Sequence, residues 1–359
     1  MWNRRVLIAI VNVGVALALL ELSVLAMLHV PALTVRLPTS ARDFTQKVYR
    51  HFRRNIIQFD PACARWDAVL GYTLRPGTCT FGNVEFSNEY LINSAGLRDA
   101  EGALDAPEVI VLGDSQVMGW AVSQDDAFPQ VLGRKAGLRV LNAGISSYGT
   151  VRERLLLDRL DGSRLKALVI QYTDNDIPEN LAYWRRGNRY ERLPEPLYRE
   201  AQAYNARQQG YYPGKYVFRL AWKFLRLEAP EPAREEMDPA VTPADEARLF
   251  LNALVHAGRM PLDGVQVIVF EVHPDRRVRR SFVTGLNAAK GARSLPGYVR
   301  DMVVLDTQPL LKADDFFVID DHLRARGHET LADAVREVLI SKGLASAQAE
   351  RTAPAAAVR

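Results

Sequence analysis

Five short apolar runs, separated by longer stretches, set the strongest limit on how this chain can fold. They are Val109–Leu112, Val140–Leu141, Ala167–Ile170, Val265–Phe270 and Met302–Leu305, all rich in branched side chains. Between them lie amphipathic stretches such as Thr150–Leu160 and Ala244–Leu254. Strands alternating with helices predict a parallel sheet covered on both faces, because each crossover helix must bury its apolar stripe against the sheet. The expected fold class is α/β, a three-layer α/β/α sandwich around a central parallel sheet. Ligands of such sheets sit beyond the carboxyl ends of the strands. Ser115, Gly144 and Asn175 each fall just past one of these runs.

At 359 residues and 48% hydrophobic content the chain can bury one large core with appendages. Its net charge of +4 is small, and its Lys and Arg are scattered without a basic-aromatic signature, so no nucleic-acid partner is expected. Six histidines and two cysteines offer no metal-ligand spacing. No metal is expected, and no cofactor is implied.

The N-terminus bears on the compartment. Arg4 and Arg5 precede an apolar stretch, 6–30, interrupted only by Asn12, Glu21, Ser23 and His29. About 20 apolar residues span a bilayer, and flanking positive charge tends to stay cytoplasmic. The stretch is longer than the core of a signal peptide and shows no clean small-x-small cleavage site, so an uncleaved anchor is the expectation, with a cleaved signal the alternative. Either places the body outside the cytoplasm; the expected anchor makes it a single-pass inner-membrane protein facing the periplasm. Cys63 and Cys79 flank the turn-forming Gly71, Pro76 and Gly77; in an oxidising compartment they are expected to pair as a disulfide closing a short loop.

A serine hydroxyl becomes a nucleophile only with a base in hydrogen-bond reach, a carboxylate to orient that base, and donors for the developing oxyanion. Gly113-Asp114-Ser115, Asn175-Asp176 and Asp320-Asp321-His322 can each supply one of these parts. Alone, each could be a turn, a cap or a surface residue; their order and strand-end positions make the set informative.

Val111-Leu112-Gly113-Asp114-Ser115, Asn142-Ala143-Gly144, Tyr172-Thr173-Asp174-Asn175-Asp176 and Asp320-Asp321-His322 resemble the four blocks of the SGNH, or GDSL, hydrolase family. Gly327-His328 and Leu331-Ala332 look like the helix after that family's last block, and Asn93–Asp99 is similar to the lead-in of membrane-anchored members. The resemblance covers roughly residues 108–342 and implies a flavodoxin-like sandwich without a cofactor. It implies Ser115 as nucleophile, His322 as base and Asp320 as its orienting acid, with the oxyanion held by the N–H groups of Ser115 and Gly144 and the side-chain amide of Asn175. Two departures stand out. Many members carry the aspartate three residues before the histidine, where this chain has Ile319; the Asp-x-His spacing of Asp320 looks like the polysaccharide-acetylation branch, and Asp321 stays an alternative. Gln116 follows the serine where Leu or a hydroxyl residue is frequent.

The implied activity is an extracytoplasmic serine esterase acting on O-acyl groups, acetyl above all, of a carbohydrate. A carbohydrate O-acetyltransferase would use the same triad, and a non-catalytic glycan-binding or assembly module is the alternative from another class. The chain divides into an N-terminus (1–5), an anchor (6–30), a linker and small β-rich lead-in (31–107), a hydrolase domain (108–345) with an aromatic-rich insertion (183–240), and a disordered tail (346–359). Within the linker, Arg-rich residues 36–58 suit a spacer or a helix at the membrane surface. The insertion's many Tyr, Trp and Phe suit sugar rings or acyl chains. In it, Lys215–Glu228 has helical character, with Lys215, Arg219, Lys223 and Arg226 on one arc. That helix could be a membrane contact, a lid, or an ordinary helix with its basic stripe in solvent. Residues 229–243 hold four prolines and suit a flexible connection.

Overall fold

A computed structural model describes residues 4–225, 241–273 and 281–347. The chain begins with helices α1 (Arg4–His29), α2 (Pro31–Thr34) and α3 (Thr39–Phe52). Two antiparallel hairpins follow, β1 (Ala64–Asp67) with β2 (Gly71–Leu74), and β3 (Gly77–Gly82) with β4 (Ser87–Ile92). Strand and helix then alternate: β5 (Val109–Gly113), α4 (Ser115–Met118), α5 (Phe128–Ala136), β6 (Val140–Gly144), α6 (Thr150–Leu157), β7 (Ala167–Tyr172) and α7 (Asp176–Arg185). The remaining elements are α8 (Glu195–Gln209), α9 (Lys215–Phe224), α10 (Pro243–His256), β8 (Gln266–Glu271), α11 (Ser281–Ala289), α12 (Gly297–Arg300), β9 (Val303–Leu305) and α13 (Ala325–Ser341).

Each of the five apolar runs becomes a strand of one parallel sheet, in the order β6-β5-β7-β8-β9. This is the flavodoxin-like order, in which the chain reverses direction across the sheet between β5 and β7. Burial on both faces explains why the runs are continuous rather than alternating. In β5, Val109 and Val111 face the layer formed by α5 and α13, through Phe128, Leu132, Leu331 and Val335. Ile110 and Leu112 face the opposite layer, against Leu156, Leu157, Phe250 and Leu254 of α6 and α10. The molecule is therefore a three-layer α/β/α sandwich.

The first hundred residues wrap one end of this sandwich. Helix α1 is 26 residues long, and its length and apolar composition suffice to cross a membrane. The 36–58 segment contains a helix, α3, which packs on α1 and α9. Cys63 and Cys79 form a disulfide that joins the two hairpins. Buried Arg98 donates to the carbonyls of Met118, Gly119 and Val122, bracing the far end of α4. Residues 229–240 of the expected flexible connection, and the expected tail from 348 onward, lie outside the described residues, as does Arg226.

Candidate active site

Ser115 is the first residue of α4, directly beyond β5 and beside the chain reversal, where this topology leaves a crevice. Asp114 caps that helix, accepting the Gln116 N–H at 2.8 Å. Its other oxygen accepts the Thr173 hydroxyl at 3.1 Å and the Asn175 side-chain amide at 2.9 Å. One carboxylate thus ties the end of β5 to the turn after β7. Burial pushes Asp114 above its ordinary value, and these donors together with His322 pull it back only in part.

The last block closes onto this turn. His322 Nε2 lies 2.7 Å from Ser115 Oγ, and its Nδ1 is hydrogen-bonded to Asp320 Oδ1. With the Nδ1 proton directed at Asp320, Nε2 is left to accept from the serine hydroxyl, which is the tautomer a general base requires. All three side chains are buried. Burial alone would raise Asp320, but His322, then Arg54 and the Tyr49 hydrogen bond, outweigh it and hold the carboxyl at about 2. Asp321 comes no nearer than 3.5 Å to His322 Nδ1 and is instead paired with Arg54 at 3.0 Å and Arg50 at 3.5 Å. The chain's other C-terminal histidine, His328, accepts the Phe128 N–H at 3.1 Å inside the α5–α13 layer, and burial lowers it to about 3.

Several residues support this arrangement, most of them outside the sequence blocks. The Tyr49 hydroxyl, from α3, donates to Asp320 Oδ2, and Trp120 Nε1 approaches the same oxygen at 3.4 Å. The Trp120 ring also stacks on His322, with centroids 4.6 Å apart and planes within 12°. Glu85, in the loop between β3 and β4, accepts the N–H groups of Val318, Ile319 and Asp320 at 2.7–3.0 Å. Gln116, the departure in the first block, clamps the two halves together, accepting the Leu323 N–H at 3.1 Å and donating toward the Asp321 carbonyl at 3.4 Å. Their partners lie some 200–270 positions away, so no local pattern announces them.

Ser115, His322 and Asn175 line a cavity of about 620 Å³, but Gly144 does not. The Gly144 N–H is already donated to Asn142 Oδ1 at 3.0 Å. A Cβ at Gly144 would meet the Met118 nitrogen at 2.4 Å, so glycine is required there by the close approach of α4 and not by a ligand. The expectation that Gly144 contributes an oxyanion donor is therefore corrected. Ser147, three residues on, does line the cavity, with φ of 57° in the left-handed region. Its hydroxyl accepts from Gln58 at 3.0 Å and its carbonyl from Arg152 at 2.5 Å, which fixes this uncommon turn.

Asp320, Asp321 and His322 have ligand atoms within 4.8 Å of one another, close enough for a cation. Protein partners already occupy them: both oxygens of Asp320 accept hydrogen bonds, two arginines neutralise Asp321, and His322 Nε2 faces Ser115.

No protein-family model matches the chain, and no curated protein matches it. Among solved structures it is similar to a protein described as lipolytic, of the G-D-S-L family, from Desulfitobacterium hafniense, at 14% identity and TM-score 0.34, covering 64% of this chain and 98% of that one. A protein described as a GDSL-like lipase from Bacteroides ovatus matches at 11% identity and TM-score 0.36, over 67% of this chain and 54% of that one. One described as an acylhydrolase from Bacteroides fragilis matches at 14% and 0.33, over 70% and 98%. At such identities and scores, what the site can do is decided by its own geometry.

Proposed function

We propose that this protein is a serine esterase that removes acyl groups, acetyl in the simplest case, from the hydroxyls of a carbohydrate outside the cytoplasm. The observation that carries this reading is the buried Ser115–His322–Asp320 relay, whose serine opens into the 620 Å³ cavity. Ser115 Oγ attacks the ester carbonyl while His322 Nε2 takes its proton. His322 then returns that proton to the departing alkoxide as the ester C–O bond breaks, leaving an acyl-serine. Water, deprotonated by the same nitrogen, releases the acid and restores the serine. The Ser115 N–H, the second amide proton of Asn175 and the Ser147 N–H, in place of that of Gly144, are the proposed oxyanion donors. Polar walls that include Gln58, Arg152 and Asp174, beside the rings of Tyr72 and Tyr190, support a hydroxyl-rich substrate. Helix α1 is proposed as an uncleaved anchor, and the Cys63–Cys79 disulfide supports an oxidising compartment.

The test uses the full chain in detergent. A fluorophosphonate should label the wild type, and Ser115→Ala should lose both the label and hydrolysis of p-nitrophenyl acetate with its thermal midpoint unchanged. Wild-type protein should release acetate from an acetylated oligosaccharide; passage of the acetyl group to an added sugar would instead make it a transferase. Persistent labelling or turnover in Ser115→Ala would overturn the assignment.

A further inference from the structure

Helix α9 is placed opposite to what a helix packed on a soluble domain would show. Its basic side starts inward: Lys215 is buried, donating to the carbonyls of Gln208 and Gly210, Arg219 is half-buried over the Phe52 ring at 5.1 Å, and the exposed Lys223 reaches the same ring at 5.7 Å. Its apolar side turns outward. Phe218, Trp222 and Leu225 form one stripe at helical spacing and are 61%, 53% and 61% exposed, with Phe224 at the helix end 88% exposed. Burying the Lys215 cation while exposing large apolar side chains is unfavourable in water.

The neighbour of α9 resolves this. Glu21 is an acid within the apolar helix α1, and it accepts the N–H groups of Tyr216 at 3.1 Å and Val217 at 3.0 Å. These belong to the first turn of α9, whose N–H groups have no partner within the helix and whose dipole favours an anion. A carboxylate inside a membrane-spanning helix is costly unless partnered, so this contact fixes α9 against α1 at the level of Glu21. Counted from Arg5, a hydrocarbon core ~30 Å thick takes about 20 helical residues and ends near Leu25. Glu21 is therefore about 6 Å inside the core, within the ~5–10 Å to which interfacial helices bury their apolar faces.

We propose that α9 is an interfacial helix, its Phe218–Trp222–Leu225 stripe inserted into the bilayer leaflet from which α1 emerges. The proposal rests on α1 being a membrane anchor. Val24 and Leu28 of α1, Tyr49 and Phe52 of α3, Tyr216 of α9 and Ile319 of the catalytic loop share one apolar cluster. The insertion thus holds the His322 loop at the membrane surface, so that the esterase acts on substrates presented there.

Because the native cysteines are paired, a single added cysteine can carry a fluorophore. Full-length Val15→Cys, Trp222→Cys and Glu337→Cys proteins are labelled with NBD and reconstituted into phosphatidylcholine–phosphatidylglycerol vesicles with or without acyl-chain doxyl lipids. Unchanged circular dichroism and thermal midpoint establish the fold. Quenching at Val15 on α1 and at Trp222, several-fold above that at Glu337 on α13, is the expected result. Quenching at Val15 with Trp222 left open to aqueous iodide overturns the inference and leaves the anchor standing. Shielding of Trp222 from iodide without lipid quenching points to a protein occupant and also overturns it. No quenching at either position overturns the anchor and this inference together.

Discussion

Ser115 and His322 meet at 2.7 Å but are brought there by different means. The serine is carried by the sheet: it follows β5 directly, and Asp114 ties its turn to the end of the neighbouring strand β7. The histidine follows no strand. Its loop is anchored by Glu85 from a hairpin, Tyr49 from α3, the Trp120 ring beneath the imidazole and Gln116 from the helix that Ser115 begins. The Ser115 half thus belongs to the sandwich, while the His322 half leans on the first hundred residues. A site of this kind can keep its fold and its serine and still lose its base when the N-terminal shell is disturbed.

The sharpest break of that contrast comes from the histidine and its acid. His322→Ala should be nearly as inactive as loss of the serine, because residues acting as a unit are not additive. Asp320→Asn should lower kcat by about 10⁴-fold, since an amide favours the wrong imidazole tautomer. Asp321→Asn should cost about tenfold or less, because Asp321 faces Arg50 and Arg54 and acts on the loop through charge. Measuring kcat for both variants on one ester, with matched circular dichroism, checks the order. A larger loss at Asp321 would reassign the acid.

Legibility in the sequence divides along the same line. The five strands could be read because burial on both faces makes their apolar runs continuous, and the blocks that carry Ser115, Asp320 and His322 could be picked out because each is local. Gly144 misled: a glycine at a strand end looks like a place where a ligand approaches, yet here it makes room for the α4 backbone. Tyr49 and Glu85 were illegible because a single polar residue whose partner lies more than 200 positions away leaves no period to detect. For α9 the pattern revealed two faces but not which one turns outward, since that depends on Glu21 in a distant helix.

Smaller losses should follow from the shell. Glu85→Ala leaves three loop N–H groups without their acceptor, at about 1–3 kcal/mol for each that stays buried, so kcat should fall more than tenfold. Tyr49→Phe removes one hydrogen bond to a charged group and should lower kcat roughly tenfold. Neither residue lines the cavity, so KM should stay constant, whereas a changed wall would move it. A pH readout separates positioning from packing. Ionised Asp320 contributes stability that is present above its ordinary value of 3.8 and lost as pH falls toward about 2. Tyr49 is one of the groups holding that value down, so in Tyr49→Phe the acid-induced loss should be smaller and complete at higher pH. An unchanged acid limb together with unchanged kcat would leave Tyr49 as filler.

The smallest expected effect on turnover lies farthest from the chemistry, at the disulfide. The Cys63–Cys79 link spans 16 residues, and closing a loop of that length stabilises by about 3 kcal/mol on the chain-entropy model. Both cysteines pack with Phe81, Tyr90 and Trp120 in one cluster, and Phe81 meets the Trp120 ring edge-on at 4.9 Å. Since Trp120 stacks on His322, the link reaches the His322 half of the site through two rings and the Ser115 half only through the fold as a whole. Reduction should therefore lower the thermal midpoint by several degrees while kcat falls only a few-fold, with KM unchanged. The measurement pairs a thermal scan with kcat before and after reduction, alkylating the freed thiols to prevent closure. A lower midpoint with fully retained kcat would show that the hairpins wall the cavity without positioning Trp120, and would confine the shell's contribution to Glu85 and Tyr49.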